Sequence, residues 1–134
     1  MAARVFVFAS NLAGVHGAGA AKFAMDKKGA RWGYSYGRAG DSFAIPTKDR
    51  DIETLPLEEI QDFVTGFLAY ARNHPKVIFQ VTAIGCGLAG YEHYMVAPLF
   101  EGASKNCWFQ DEWKEYLGDA YQYWSYIKQS QVRY

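Results

Sequence analysis

The sequence predicts an α/β fold with a mixed, mostly parallel sheet and helices on both of its faces. Residues 5–9 and 77–83 are almost continuously apolar, which is typical of strands covered on both sides. A glycine-rich loop follows each of these two strands, and a helical pattern follows each loop. Strands that alternate with helices in this way favour a layered α/β architecture.

The two glycine-rich loops are the features that point most directly to a ligand. Loop 10–19 has glycines at positions 14, 17 and 19, and loop 84–91 has them at 85, 87 and 90. Glycine permits positive φ angles and exposes backbone N–H groups, which can bind a phosphate beside a helix N-terminus. Parallel strands end at the same edge of a sheet, so we expect the two loops to share one pocket. The other interpretation is a pair of ordinary tight turns.

An alanine-rich helix is expected over residues 18–28, after the first loop. Beyond it, Trp32, Tyr34 and Tyr36 alternate with small residues, which suggests a strand bordered by glycine turns. These three rings and Tyr91 lie near predicted loops. They either stack on a base or ribose or belong to the core.

The middle of the chain contains the clearest helix. Residues 42–46 are a short apolar strand, and Pro46 is expected to end its pairing. Residues 47–54 are polar and charged, which predicts a loop. Residues 56–73 then place their apolar side chains at helical spacing on one face.

The carboxyl-terminal third is predicted to contain a helix over 92–104, with a late start or a kink at Pro98, and a short strand over 106–109. Residues 111–130 are interpreted as an aromatic helix that Gly118 can split in two. Its aromatic stripe is either core or a surface for homo-oligomerisation. An interaction protein that assembles through this helix is therefore one of the functional hypotheses.

Length and composition indicate one domain over residues 1–134, with 50% hydrophobic and 17% aromatic residues. Fourteen basic residues balance fourteen acidic ones, so the chain lacks the charge of a general nucleic-acid binder. No long apolar run or signal-peptide pattern is visible, and we expect a cytoplasmic protein without a membrane partner. Cys86 and Cys107 make neither a disulfide framework nor a metal motif, and no cofactor or metal is expected.

Four side chains are the candidates for chemistry. Lys48 follows a strand end and either contacts a phosphate or ribose hydroxyl or is a solvated loop lysine. Asp49 is either a base or a stabiliser of its loop. Cys86 is either a nucleophile activated by loop amides or, as we favour, a small packing residue. His16 either points into the pocket or is an ordinary polar loop residue.

Three motifs resemble macrodomains, the ADP-ribose-binding modules. They are HGAGAAKFAMDKKGA, AIPTKDRDIETLPLEEI and IGCGLAGY, which occur in family order. The sequence is most similar to the branch that contains the terminal ADP-ribose protein glycohydrolase and the DNA-ADP-ribose-removing antitoxins. It also resembles small macrodomain-like proteins of bacteriophages and prophages. The resemblance implies a three-layer α/β/α macrodomain-like fold.

The resemblance further implies a pocket for ADP-ribose or a related NAD-derived or cyclic nucleotide. Residues 17–19 would contact the distal ribose and the diphosphate, Asn11 would lie near that ribose, and residues 85–90 would wrap the diphosphate. The ligand-binding residues expected in the two loops are Asn11, His16, Gly17, Ala18, Gly19, Gly85, Cys86, Gly87, Leu88, Ala89, Gly90 and Tyr91.

Two activities are implied by this family. The first is a binding module, which would sequester an immune signal in an anti-defence role if the protein comes from a phage. The alternative is an ADP-ribosyl glycohydrolase that acts on ADP-ribosylated protein or nucleic acid. In that enzyme Lys48 would attack the anomeric carbon, and Asp49 would assist it.

One position departs from the glycohydrolase branch. Ala89 stands where that branch has the aspartate that acts as acid/base partner, a function worth about 10²–10⁴ in rate. Asp49, Glu92 and Asp41 are the carboxylates considered as replacements. The acidic residue with which many macrodomains read adenine lies on amino-terminal strands without a counterpart here. Intact glycine loops and a missing aspartate favour binding over hydrolysis.

Overall fold

The computed structural model describes residues 3–126, which form a six-stranded sheet with helices on both faces. Two 3₁₀ turns occur at Ala97–Phe100 and Asp111–Trp113. The strands and helices in chain order are β1 (Arg4–Asn11), α1 (Gly19–Lys27), β2 (Gly37–Ala39), β3 (Ser42–Lys48), α2 (Leu57–Arg72), β4 (Ile78–Val81), α3 (His93–Val96), β5 (Cys107–Gln110), α4 (Lys114–Leu117) and β6 (Gln122–Trp124).

The sheet is mixed and mostly parallel, which confirms the predicted fold class. Its strand order is β2-β3-β1-β4-β5-β6, and β2 alone among the described strands runs antiparallel to its neighbour. β1 therefore lies inside the sheet, between β3 and β4. The carboxyl ends of the five parallel strands meet at one edge, where α/β folds place their ligands.

The alternation of side chains along β1 divides the core into two layers. Phe6 and Phe8 pack on the α1 side with Ala24 of that helix and Trp124 of β6. Val5 and Val7 face the other way, into the larger cluster that α2 covers. Both sides of β1 are thus buried, which explains its continuous apolar sequence.

Phe67 of α2 is fully buried at the centre of the larger layer. Its ring meets Phe43 of β3 and Phe79 of β4 edge-on, with ring centroids 5.0 and 5.5 Å apart. Phe100, which follows α3, approaches the same ring at 6.2 Å. The predicted helix over 56–73 is confirmed, and its apolar face joins two strands and the α3 region.

Pro46 does not end strand pairing, contrary to the prediction. It lies inside β3 opposite Ser10, and pairing continues to Lys48 opposite Asn11 after a shift of register. β2 pairs with β3 only as far as Ala44, so β3 is an edge strand at Pro46. Edge strands tolerate proline because one side of the strand needs no ladder hydrogen bonds.

The strand suggested by the alternation of Trp32, Tyr34 and Tyr36 is absent, because residues 31–36 form turns and irregular loop. The three aromatic side chains are exposed, with 59%, 47% and 37% of their surface accessible. A strand begins only at Gly37. The two-residue alternation therefore does not indicate a strand here. Glycine and serine simply separate bulky rings along a loop.

The predicted helix over 111–130 is wrong for its described part. Helix α4 is a single turn, and it ends at Gly118, whose φ of 80° is open mainly to glycine. The chain then enters β6, where Tyr123 packs on the α2 side and Trp124 on the α1 side. Residues 127–130 lie outside the described residues. The helical surface expected for oligomerisation does not form over residues 111–126.

Other predicted elements agree with the structure more closely. The strand over 106–109 corresponds to β5, and the helix over 92–104 is reduced to α3 and the 3₁₀ turn that contains Pro98. Within residues 3–126 there is no helix that is long and apolar enough to cross a membrane. The assignment of the whole of residues 1–134 to one domain stays a prediction.

Candidate functional site

A pocket of about 650 Å³ opens at the carboxyl edge of the sheet. Its walls come from the ends of β1, β3, β4 and β5, from the start of α1 and from Tyr126 beyond β6. Both glycine-rich loops contribute to it, as their shared edge predicted. The sequence-predicted site residues that line it are Asn11, Gly17, Ala18, Gly19, Lys48, Gly85, Cys86, Gly87, Leu88 and Ala89.

The first glycine loop carries a series of unpaired amides, and its residues Gly17, Ala18 and Gly19 line this pocket. The backbone N–H groups of residues 16–21 donate to no acceptor within residues 3–126. Several of them belong to the first turn of α1, which has no side-chain cap and no acidic residue to neutralise its positive end. Helix N-termini with free amides attract anions. This loop therefore has the features of an anion-binding site.

Asn11 holds the shape of the first loop. Its side-chain amide donates to the carbonyl of Val15 at 2.8 Å, and its side-chain oxygen accepts from the amide of Val15 at 3.0 Å. Behind it, Gly14 packs against the backbone of Gly33, whose amide donates to the Gly14 carbonyl at 2.8 Å. Asn11 lines the pocket, but its visible role is to position the loop.

The second glycine loop is also rich in free amides. The backbone N–H groups of Gly85, Gly87, Leu88 and Ala89 find no acceptor among the described residues. The loop is closed by a hydrogen bond from the Tyr91 amide to the Gly85 carbonyl, at 2.9 Å. Gly85 has a φ of 77°, so glycine suits this turn. Free amides clustered in one glycine-rich turn are a feature of anion-binding sites.

Two contacts brace the second loop from outside. Thr54 donates its hydroxyl hydrogen to the carbonyl of Ala89 at 2.9 Å, and Tyr91 donates to the carbonyl of Leu55 at 2.6 Å. Tyr91 and Gly90 do not line the pocket, although they were predicted ligand residues. Their visible contribution is to fix the loop that carries the amides.

His16 is not brought into the pocket. Its side chain is buried, its Nε2 lies 3.0 Å from the carbonyl of Tyr34, and its ring packs edge-on against Phe8. Its Nδ1 has no hydrogen-bond partner within the described part of the chain. His16 thus anchors the first loop to the segment around Tyr34, and its predicted contact with ligand stays a prediction.

Lys48 and Asp49 are adjacent at the end of β3, but their side chains have different surroundings. Lys48 is half-buried, lines the pocket, and makes no salt bridge within residues 3–126. Asp49 lies outside the pocket, and its carboxylate accepts the amides of Asp51 and Glu53 at 2.8 and 3.0 Å. The loop-stabilising interpretation of Asp49 fits these contacts, while the ammonium of Lys48 remains available to a ligand.

None of the three carboxylates considered as replacements for the missing aspartate lines the pocket. Asp41 precedes β3, at the opposite edge of the sheet, where its carbonyl accepts the amide of Phe6. Glu92 is exposed and precedes α3. Ala89 itself lines the pocket beside the free amides. The Lys48 end of the pocket therefore has no carboxylate partner among the described residues.

Cys86 lines the pocket, but its thiol is not activated. The pKa of the Cys86 thiol is raised to about 11, chiefly by burial; a hydrogen bond with Trp113 lowers it, and the carboxylates of Glu92 and Glu112 contribute to the rise. A thiol with this pKa is almost entirely protonated at neutral pH and is a poor nucleophile. The packing interpretation of Cys86 is the one that these surroundings support.

Several pocket residues were not predicted from the sequence. Trp32, Tyr34 and Tyr36, whose rings the sequence suggested for stacking on a base or ribose, do not line the pocket. The rule that ligands bind beyond the carboxyl ends of parallel strands could have found the pocket residues after β5. Among the unpredicted pocket residues are Ile52, His93, Gln110, Glu112 and Tyr126.

His93 has a defined hydrogen-bonding state. The indole N–H of Trp113, a fully buried side chain, donates to Nδ1 of His93 at 3.0 Å. Because Nδ1 accepts, the neutral imidazole carries its proton on Nε2. His93 thus offers a donor at the wall of the pocket.

These features define an α/β/α protein with a macrodomain-like fold. The chain is similar to the solved structure "Thermosipho africanus DarTG in complex with ADP-ribose", with a TM-score of 0.54 and 20% sequence identity. The match covers 95% of this chain and 39% of that chain, so the present chain spans well under half of the DarTG chain. No family model and no curated protein matches the sequence. At this identity the similarity demonstrates the fold.

Proposed function

We propose that this protein binds ADP-ribose, or a closely related NAD-derived nucleotide, in the pocket between the two glycine loops. The observation that carries the proposal is the convergence of two sets of free backbone amides on one pocket. Residues 17–21 supply one set, and Gly85, Gly87, Leu88 and Ala89 supply the other. A diphosphate carries two adjacent phosphate groups and can use both sets at once.

The charges and size of the pocket support the same ligand class. Lys48 adds a cation beside the loops, and the first turn of α1 contains no acidic residue to neutralise its positive end. A volume of about 650 Å³ lies in the range of small-molecule sites, which is about 300–1,000 Å³. The similar DarTG structure contains ADP-ribose, which adds support from a protein with the same fold.

Binding is favoured over hydrolysis because Lys48 lacks an acid/base partner. Asp49 uses its carboxylate within its own loop, and Ala89 supplies none. The glycohydrolase is kept as a second candidate because Lys48 is half-buried in the pocket and free of salt bridges with described residues. A lysine in that state is a possible nucleophile or electrostatic catalyst.

Calorimetric titration with ADP-ribose tests the binding proposal. The matched variant is Gly87→Val, because a side chain at Gly87 meets no protein atom within 4 Å and its φ is not in the left-handed region. We expect Gly87→Val to fold normally, shown by an unchanged circular dichroism spectrum, and to weaken binding about tenfold or more by filling the loop. Unchanged affinity in this variant, or no binding by the wild type, would refute the proposal.

Mass spectrometry separates the two activities. The protein is incubated with ADP-ribosylated protein, ADP-ribosylated DNA and cyclic ADP-ribose, and the products are compared with those of Lys48→Ala. Lys76→Ala is the control, because Lys76 is an exposed lysine before β4, at the opposite edge of the sheet. Recovery of intact ligand supports a binding protein, which in a phage would sequester a nucleotide signal. Release of ADP-ribose that Lys48→Ala abolishes and Lys76→Ala does not would establish the hydrolase.

A further inference from the structure

One nitrogen of the His93 ring is occupied and the other is free. Nδ1 accepts the indole N–H of Trp113 at 3.0 Å, whereas Nε2 has no hydrogen-bond partner within residues 3–126. Nε2 is not enclosed either, because Nδ1 of His16 is the sole buried side-chain nitrogen or oxygen without a partner in that part of the chain. The two nitrogens face different sides of the imidazole, so Nε2 points away from the buried indole. Since His93 lines the pocket, its open side is available to a ligand there.

Trp113 fixes the chemical character of that open side. The indole is fully buried and packs against Phe100 and Phe109, whose ring centroids lie 5.2 and 6.0 Å from its own. An indole nitrogen can only donate, so Nδ1 of the neutral imidazole accepts and Nε2 carries the proton. The packing of Trp113 therefore presents Nε2–H of His93 as a hydrogen-bond donor with a fixed direction.

The same indole connects His93 to the second glycine loop. Burial raises the pKa of the Cys86 thiol, and a hydrogen bond with Trp113 lowers it, so the thiol and the indole are in contact. Cys86 lies between Gly85 and Gly87, whose amides are free within the described residues. Because Cys86 and His93 contact one indole, the Nε2–H donor lies beside these amides at the pocket wall.

No described carboxylate is paired with this donor. Neither of the two salt bridges found within residues 3–126 involves a histidine. Glu112 also lines the pocket, but its carboxylate accepts a hydrogen bond from the side-chain amide of Gln110 at 2.7 Å. His93 therefore adds to the free amides a donor that is available to solvent or to a ligand.

We propose that His93 is a ligand-binding residue whose Nε2–H donates to an oxygen of the phosphate group held by the second glycine loop. This inference rests on the proposed function, because the loop must hold a phosphate for the donor to meet one. His93 lies beside this loop whichever end of the pocket receives the sugar or the base, so the contact is independent of ligand orientation. Trp113 is then a positioning residue, since it acts on the ligand only through the imidazole.

Two substitutions of His93 distinguish a donor from an acceptor at this position. His93→Gln and His93→Glu have nearly the same shape, and each can turn a side-chain oxygen to the indole N–H of Trp113. Glutamine then offers an N–H donor to the pocket, whereas glutamate offers a negatively charged oxygen. Tyr94→Glu is the control for charge, because Tyr94 is an exposed neighbour outside the pocket lining.

Calorimetry with ADP-ribose measures the difference. We expect His93→Gln to bind within about threefold of the wild type, because a donor remains. His93→Glu should weaken binding by about tenfold to a hundredfold, since oxygen would face oxygen. Tyr94→Glu should change the affinity by about twofold at most, because its charge is exposed and screened by salt. Equal affinities in His93→Glu and Tyr94→Glu, or a loss in His93→Gln as large as that in His93→Glu, would overturn the role of His93.

Nuclear magnetic resonance identifies the part of the ligand that His93 contacts. The protein is prepared with isotope-labelled histidine, and the probe is inorganic pyrophosphate, which has neither sugar nor base. We expect the Nε2 resonance of His93 to shift with pyrophosphate as it does with ADP-ribose. His74 is the control, because it lies before β4 at the opposite edge of the sheet, with Nδ1 2.8 Å from the carbonyl of Tyr70.

The outcomes distinguish this inference from the proposed function. A shift of the His93 resonance with ADP-ribose but not with pyrophosphate would overturn the contact with phosphate and leave the proposed function standing. No shift with either ligand, while calorimetry shows that ADP-ribose binds, would overturn the role of His93 alone. Failure of the wild type to bind ADP-ribose would refute the proposed function itself, and with it this inference.

Discussion

The hydroxyl group of Thr54 donates a 2.9 Å hydrogen bond to the carbonyl oxygen of Ala89. This contact joins the loop after β3, which begins beside Lys48, to the glycine loop after β4. The bond from Tyr91 to Leu55 makes a second connection between the same segments. The free amides of the glycine loop are therefore held in place before a ligand arrives, which lowers the conformational entropy lost on binding.

The close contact between Gly14 and Gly33 predicts a position where alanine is not tolerated. A Cβ atom on Gly14 would lie 2.5 Å from the carbonyl carbon of Gly33, and Gly14 has a φ of 71°. We expect Gly14→Ala to lower the free energy of unfolding by roughly 2–5 kcal/mol, from steric overlap and left-handed strain. Gly17→Ala is the control, because a Cβ there meets nothing within 4 Å. Urea denaturation should separate the two variants, and equal stabilities would contradict the contact.

Replacing Ile52 is expected to increase stability and to weaken ligand binding. It has a φ of 64°, unusual for a β-branched residue, and its exposed side chain lines the pocket. We expect Ile52→Asn to raise the free energy of unfolding by about 1 kcal/mol, because asparagine tolerates this conformation. The same change should weaken ADP-ribose binding by removing apolar contact. Ile52→Val keeps the strain and is the control. A variant Ile52→Asn that is less stable than Ile52→Val would show that the backbone is relaxed there.

The elements predicted well are those whose signals are local. Almost continuous apolar runs predict β1 and β4, apolar side chains at helical spacing predict α2, and clustered glycines predict the two loops. What could not be predicted depends on partners far along the chain. The side chain of Gln110 is positioned by a hydrogen bond from the backbone amide of Ala83. Strand β6 is stabilised because Trp124 packs in one core layer and Tyr123 in the other. An aromatic stripe alone did not distinguish a helix from a turn followed by a strand.

The pairing of His93 with Trp113 predicts a specific loss of stability. His93→Ala would leave the buried indole N–H without its acceptor, which costs about 1–3 kcal/mol. His93→Gln retains a side-chain oxygen that can accept the bond and should recover part of the loss. Thermal or urea unfolding of the three proteins measures this difference. A His93→Ala protein as stable as the wild type would show that water replaces the imidazole.

The raised pKa of Cys86 predicts its reactivity as a function of pH. Its pKa of about 11, against the ordinary value of 9.0, implies about a hundredfold less thiolate than an unperturbed cysteine near neutral pH. Alkylation by iodoacetamide should be slow at pH 7.5 and rise about tenfold per pH unit up to about 11. The thiolate is the form that burial disfavours, so folding stability should fall as the pH rises from about 9 through 11.

Peptide mass spectrometry can follow the Cys86 reaction separately from that of Cys107, which is fully buried. Because Cys86 lines the pocket, saturating ADP-ribose should slow its alkylation further. Rapid labelling at pH 7.5 would contradict the assignment of a neutral thiol, and labelling unaffected by ligand would contradict the location of the binding site.

Ala89, whose carbonyl accepts the hydrogen bond from Thr54, is the position at which the missing carboxylate can be tested. Ala89→Asp leaves that backbone bond in place and adds a carboxylate at the lining of the pocket that Lys48 shares. If the missing acid/base partner is what limits hydrolysis, Ala89→Asp should raise Lys48-dependent release of ADP-ribose by about 10²–10⁴. Ala89→Asn, which has the same shape and no charge, should show no such gain. If the rate of Ala89→Asp does not exceed that of Ala89→Asn, adding a carboxylate is not sufficient for hydrolysis, and the pocket lacks other features of a catalyst as well. Its geometry would then be suited to retaining a nucleotide rather than cleaving it.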